Sequence, residues 1–382
     1  MRTNPALDRV GAHPIAGLQQ KVRRLRDEGA DVIDFTLGDP REPTWEEIPE
    51  QLRRHVPAVS QYPTTNGIPE LRRAIAGYVR RRFGVSVDPD TQVIPTSGAK
   101  EAIFSTALAF VDRERGDAVG YPDPGSTVYA RGAVLAGAEA VPIPAGEGFV
   151  TTVESVPPSL WGRMAMLWIC TPSNPTGAVM SETELAGLVD EARRHDVLVC
   201  SDECYIDLHA EGAEPPPSVL QVAEGARGVL AYFSLSKRSG MTGYRSGAIV
   251  GDPAAIERLY RLRTSTGTAS PEFVQWAAVT AWEDDAHVAE RRRIFGEKRR
   301  VMREGLEAAG LEVVASEAGL YLWVKVDDDL AAADALADTG VFVSPGRIFG
   351  DRGFGYLRLA LVPDVETCRR AVEVIRRALV GV

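Results

Sequence analysis

The chain has little of what staples a fold covalently, anchors it in lipid or draws it to a polyanion. Cysteine occurs four times in 382 residues, too few and too scattered for a disulfide framework. Cys200 and Cys204 stand four apart, but no second pair follows at zinc-ligand spacing, so reduced thiols and no metal are expected. No stretch approaches the ~18 consecutive apolar residues that a membrane span needs. The opening MRTNPALDRVGAHPIAGLQQ lacks a basic segment running into an apolar core, which predicts neither a leader nor an anchor and so a cytoplasmic protein without a membrane partner. Basic residues are outnumbered, 43 Lys and Arg against 53 Asp and Glu, for a net charge of -10. That balance argues against a nucleic-acid partner, and the runs YVRRRFG and RLYRLRT read as the wet faces of helices. No G-x-G-x-x-G opens the first strand-to-helix turn, which disfavours a nicotinamide dehydrogenase. Internal repeats and low-complexity tracts are also absent.

What is present is an ordinary globular composition, 45% hydrophobic and 25% charged, in a length that suits about two domains. From about residue 90 to 250, the short apolar runs TQVIP, DAVGY, EAVPI, AMLWIC, VLVCS, VLAYF and SGAIV alternate with helical patterns. This alternation predicts an α/β domain with a mainly parallel sheet sandwiched by helices. SETELAGLVDEARRH is one such helix, with Ser181 as N-cap and Glu184 completing a capping box. After residue 270 the pattern turns to long helices, short strands and a last helix, VETCRRAVEVIRRAL. We therefore expect a large domain over 47–275 and a smaller α+β domain from 276–382 joined by 1–46. EGAEPPPS reads as a proline-bearing surface loop.

In open α/β sheets ligands bind beyond the carboxyl ends of the strands, and four such places carry unusual residues. After TQVIP, the small-residue turn Ser97-Gly98-Ala99-Lys100 opens a helix, whose free N–H groups and dipole suit a phosphate; by itself it is an ordinary cap. After AMLWIC comes TPSNPTG, a proline turn in which Asn174 is placed to donate to a ligand oxygen. After VLVCS comes Asp202, partly buried at the end of an apolar strand, where a positive partner is expected beside it. After VLAYF comes SLSKRSGMTGYRSG, with Ser234, Ser236, Lys237 and Arg245. A lysine taken alone is a solvated surface charge, but one placed beyond a buried strand can lose its proton by desolvation and attack a carbonyl carbon. Arg245 offers a planar fork for phosphate. Together these places describe a ligand with an aldehyde, a phosphate and a basic ring nitrogen, which is pyridoxal phosphate.

With SQYPTTNGIPELRRAIA, TSGAKEAI, PSNPTG, SDECY, SLSKRSGMTGYRSG, AGLYLWV, SPGRIFG and GYLRLAL in this order, the chain resembles the class I/II aminotransferases of fold type I over its whole length. GDPREPTWEEI, SDECYIDL, SLSKRSG and AAVTAWEDDAHV look most like the N-succinyldiaminopimelate aminotransferases of lysine biosynthesis. The resemblance implies that Lys237 holds the cofactor and moves a proton, that Asp202 meets the ring nitrogen, and that Asn174 and Tyr205 meet the ring's phenolic oxygen. It implies a phosphate cradle of Ser97, Gly98, Ala99, Ser234, Ser236 and Arg245, with Tyr62 reaching the phosphate of a neighbouring subunit in a homodimer. Arg358 would pair with the α-carboxylate of amino-acid and keto-acid substrates, beside Gly38 in the adjoining loop. Glutamate is the implied amino donor, and Arg41 and Arg347 are candidates for reading a distal carboxylate. Ser126 departs from the pattern, because the family has an aromatic residue there that stacks on the ring; Tyr121 and Tyr129 lie nearby but out of register. Relatives that carry out β-elimination or cyclisation share these motifs. Transcription regulators with an aminotransferase-like domain carry a winged-helix module, for which the segment ahead of the core is too short.

Overall fold

The computed structural model describes residues 1–11, 15–210 and 212–381. All seven apolar runs are strands of one seven-stranded sheet. Its lateral order is Val93–Thr96, Gly247–Gly251, Val229–Ser234, Leu198–Asp202, Met164–Cys170, Ala118–Asp123 and Glu139–Pro144. Every pairing is parallel except the two made by Gly247–Gly251, which runs against both of its neighbours. The central strands read as unbroken apolar runs because both faces are covered: every residue of Val229–Ser234 and of Gly247–Gly251 is buried. One covering helix, Glu182–Arg194, starts at the predicted capping box, with Ser181 and Glu184 bonded reciprocally. It turns Leu185, Leu188 and Val189 into the core.

The smaller unit holds an antiparallel sheet in the order Ser344–Pro345, Tyr356–Ala360, Tyr321–Lys325 and Val313–Ala315. The N-terminal pair Ile33–Asp34 lies parallel to Val341–Phe342, so the early segment folds back onto this unit. Phe35, Leu306, Leu322, Leu336, Leu359 and Ile375 share its core. A division at residue 275 would cut the helix Glu272–Glu283, whose Ala277, Ala278, Ala281 and Trp282 pack into the large core. We propose the division at the Asp284–Asp285 turn instead, because buried apolar area holds that helix to the larger unit. The long helix Ala286–Ala308 then leads into the small one. In the expected loop from Glu211 to Ser218, Glu211 lies outside the described residues. Among the described residues no helix is long and apolar enough to cross a membrane.

Candidate active site

The strand ends converge on a cavity of about 490 Å³ between the two units. Asp202 and Ser234 are the last residues of their strands. Ala99, Asn174, Tyr205, Ser236, Lys237 and Arg245 join them on its wall from the large unit, and Gly38 and Arg358 face them from the small one.

Lys237 sits in a single helical turn, Leu235–Arg238, that Ser234 caps by accepting from the Ser236 N–H at 3.2 Å. Its Nζ donates to the Gly38 carbonyl. Desolvation lowers its pKa to about 8, against an opposing pull from Asp39, so a neutral amine is accessible near physiological pH. An amine-selective reagent at limiting concentration should therefore modify Lys237 in cofactor-free protein ahead of surface lysines. The labelling rate should rise through a midpoint near about 8 as the proton leaves. A midpoint near the ordinary lysine value of ~10.4 would show that the amine is not desolvated.

Asp202 is buried and accepts from the Tyr129 hydroxyl at 2.8 Å and from the Cys204 N–H at 3.2 Å. The positive partner expected beside it is not among these contacts. Neutral donors take its place, and burial raises its pKa. A carboxylate held this way favours a ligand that brings its own N–H⁺.

Around the phosphate position the expected groups separate. Arg245, in a left-handed backbone conformation at φ 57°, donates to the Thr242 carbonyl at 3.0 Å and lies across Gly98. A Cβ on Gly98 would stand 2.3 Å from the Arg245 guanidinium, and Gly98 itself has φ 82°; only glycine allows both. Ser97 is turned away: its hydroxyl faces Ser270 at 3.3 Å, and its N–H goes to Glu101 at 2.9 Å. In this structure the Glu101 carboxylate takes the Ser97 N–H of that turn.

Arg358 is 3% exposed. It donates to Asn174 Oδ1 at 2.8 Å and to the Thr36 carbonyl at 2.5 Å, and lies 4.5 Å from the ring centres of both Tyr321 and Phe349. Its Nε has no hydrogen-bond partner, an expensive omission for a buried charge unless a ligand carboxylate completes it. Tyr205 meets the Tyr321 hydroxyl at 3.1 Å, and a Cβ on Gly38 would collide with that same Tyr321 hydroxyl at 2.3 Å. Tyr321 thus fixes both the Gly38 loop and the stacking of Arg358, and the AGLYLWV motif that contains it gave no hint of this.

Ser126 lines the cavity at the N-cap of helix Thr127–Ala136. Tyr129 packs on Trp168 at 5.2 Å beneath Asp202, and neither it nor Tyr121 lines the cavity. Arg347 is not free to read a distal carboxylate. It is engaged by Asp329 at 2.7 Å and Asp328 at 3.0 Å and lies on Phe354. Arg41 is exposed and also off the cavity wall. Beside Asp202, Lys237, Arg245 and Arg358, the charged residues that reach the wall are Lys100 and Asp39. Tyr62 is fully exposed and does not line the cavity of its own chain.

The donor set fits pyridoxal phosphate. An amine of lowered pKa, a buried carboxylate with only neutral donors and an arginine closed over glycine stand on one wall, with an incompletely bonded buried arginine opposite. Residues 30–375 match the model of the aminotransferase class I and II family. An LL-diaminopimelate aminotransferase from Dehalococcoides mccartyi is 35% identical over 375 residues, covering 95% of this chain and 96% of that protein. Another of the same name from Aquifex aeolicus is 35% identical over 370 residues, covering 94% and 95%. The solved aspartate aminotransferase from Thermus thermophilus with maleate superposes with a TM-score of 0.91 at 31% identity, covering 99% of this chain and 100% of that one. Cavity and comparisons agree that the chain belongs to the class I and II aminotransferases and is a pyridoxal-phosphate-dependent transaminase of fold type I.

Proposed function

We infer that the chain transfers an amino group between glutamate and a keto acid of the diaminopimelate branch of lysine biosynthesis. The relatives quoted bear the name LL-diaminopimelate aminotransferase, not the N-succinyl name that the motifs suggested. The observation that carries the reading is the charge on the cavity wall: Lys100 and Asp39, of opposite sign, line it and make no hydrogen bond or ion pair there among the described residues. A diaminopimelate has a second ammonium and a second carboxylate at its far end, and a wall that carries both signs, with Asp39 also acting on the Lys237 amine, suits both. An N-succinyl group would remove the ammonium and leave Asp39 without a partner.

Pyridoxal phosphate, when bound, supplies the carbonyl that takes up the amino group and the electron-withdrawing ring that makes the α-proton removable. The chain's residues supply the rest. Arg358 binds the substrate α-carboxylate in a bidentate pair, and Asn174, anchored on Arg358, keeps its amide nitrogen for the cofactor's phenolic oxygen. Tyr205 donates to the same oxygen. Asp202 holds a proton on the ring nitrogen. Gly98, Ala99, Ser234, Ser236 and Arg245 hold the phosphate, and Lys237 takes the α-proton and returns it on the other side of the exchange.

In single half-reactions followed by the absorbance of the bound cofactor, LL-diaminopimelate and glutamate should react far faster than alanine or N-succinyl-LL-diaminopimelate. A faster reaction of the N-succinyl compound would restore that substrate, and equal rates for glutamate and alanine would end the pathway assignment. We further propose a homodimer in which Tyr62, wholly exposed in one copy, completes the phosphate site of the other. Mixing Lys237→Ala with a Tyr62→Phe variant of low activity should then restore turnover in hybrid dimers, and a chain that sediments as an active monomer would refute the arrangement.

A further inference from the structure

Each residue of the turn that follows the Lys237 side chain is held from outside the cavity. The Lys237 carbonyl accepts from Arg291 Nε at 3.3 Å. Arg238, buried, pairs with Asp207 at 3.1 Å and Asp285 at 2.6 Å, and donates to the Ala281 carbonyl at 2.9 Å. The Ser239 hydroxyl meets His287 Nε2 at 2.8 Å, and His287 Nδ1 meets Asp284 at 2.6 Å. The Gly240 carbonyl accepts from the Thr44 hydroxyl at 3.0 Å. The Ser-His-Asp order is no nucleophile, since Ser239 is wholly buried and lines no described cavity.

The segment 42–45 is tied to the same helix. The Pro43 carbonyl accepts from Arg291 Nη1 at 3.4 Å, and the Trp45 ring stacks on His287 at 5.3 Å. Glu42 Oε1 is bonded by Lys298. Glu42 Oε2 stands 4.0 Å from Arg291 Nη2, and neither of those two atoms has a hydrogen-bond partner. Gly240, at φ 68°, leaves the room this needs, because a Cβ there would lie 2.9 Å from Arg291 Nη1. Upstream, the same strap carries Thr36, whose carbonyl takes Arg358, and Gly38, whose carbonyl takes the Lys237 amine. One guanidinium therefore fastens the lysine turn and the strap that carries the contacts of both reactive groups.

We propose that Arg291 is a positioning residue that sets the separation between the Lys237 amine and the Arg358 guanidinium, and so the approach of the substrate α-carbon to the amine. The proposal rests on the roles given above to Lys237 and Arg358. Misplacement by about an ångström can cost on the order of 100-fold in rate, so Arg291→Met in the cofactor-loaded enzyme should lower kcat by roughly ten- to a hundred-fold, more than it raises KM. A loosened strap should also let Arg358, whose charge lowers the pKa of the Lys237 amine, move away from it, and so shift the pH midpoint of the bound cofactor's absorbance change upward. Arg291→Lys should recover part of both, since a point charge reaches one carbonyl where the fork reaches two. Leu188→Ala, at a buried position of the covering helix Glu182–Arg194 and off the cavity wall, serves as the control for lost stability: its melting temperature should fall while its midpoint stays. The amino acid used is whichever reacts with the unaltered enzyme, so failure of the diaminopimelate reading leaves this test intact. An Arg291→Met enzyme with unaltered kcat and midpoint would overturn the proposal. If that variant does not fold, Thr44→Val and Trp45→Ala loosen the strap from its own side and should move both readouts in the same directions; no movement in either would overturn it equally.

Discussion

Lys237→Ala should abolish turnover, by on the order of 10⁴-fold or more, because the proposed mechanism gives this one side chain both the covalent attachment and the proton transfer. Borohydride, which fixes an imine irreversibly, should then attach no cofactor to the chain. Of the lysines near the cavity, Lys100 is exposed at the start of the helix Ala99–Phe110, whereas burial brings Lys237 to about 8. The cofactor should still bind, since Arg245 and the Gly98 turn, proposed to hold its phosphate, do not depend on Lys237. Normal turnover in this variant would remove the assignment of the site altogether.

Asp202→Asn should lower the rate of α-proton removal by on the order of 10²- to 10³-fold, the size of effect seen when one preorganised charge-stabilising group is removed. The substitution changes little else. The Cys204 N–H donates to Asp202 Oδ1 and Tyr129 to Oδ2; an amide oxygen keeps the Cys204 bond, and its NH2 group can donate to the Tyr129 hydroxyl, which turns from donor to acceptor, so the fold and cofactor binding should survive. What disappears is the negative charge that keeps a proton on the ring nitrogen. Single-turnover rates equal to those of the unaltered enzyme would take that role away from Asp202.

The parts of this molecule that the sequence made legible are those whose signal is local. All seven strands were visible because a sheet covered on both faces needs unbroken apolar runs, and the Ser181 capping box was visible because its partners stand three residues apart. Lys237, Asp202, Asn174 and Arg358 could be picked out as candidates because each follows or lies in such a run, and the fold brings all four to one cavity. What escaped depends on contacts between distant segments. Tyr129 meets Asp202 across 73 residues of chain, so no spacing announced it. Arg347 looked available in SPGRIFG, but its carboxylate partners come from the preceding helix of the small unit. The contact of the Ser97 hydroxyl with Ser270 spans 173 residues and was equally invisible. Lys100 and Asp39 matter for lining the cavity wall together, a placement that exists only once the strands and the strap have been folded around it.

Transfer of nitrogen from one substrate to the other is the central claim, and it separates a transaminase from relatives that eliminate or cyclise with the same residues. The measurement is to supply nitrogen-15-labelled LL-diaminopimelate and 2-oxoglutarate to the cofactor-loaded enzyme and follow the label. Stoichiometric appearance of the label in glutamate, with no free ammonia, is the predicted result; label released as ammonia, or none reaching glutamate while the diaminopimelate is consumed, would contradict it.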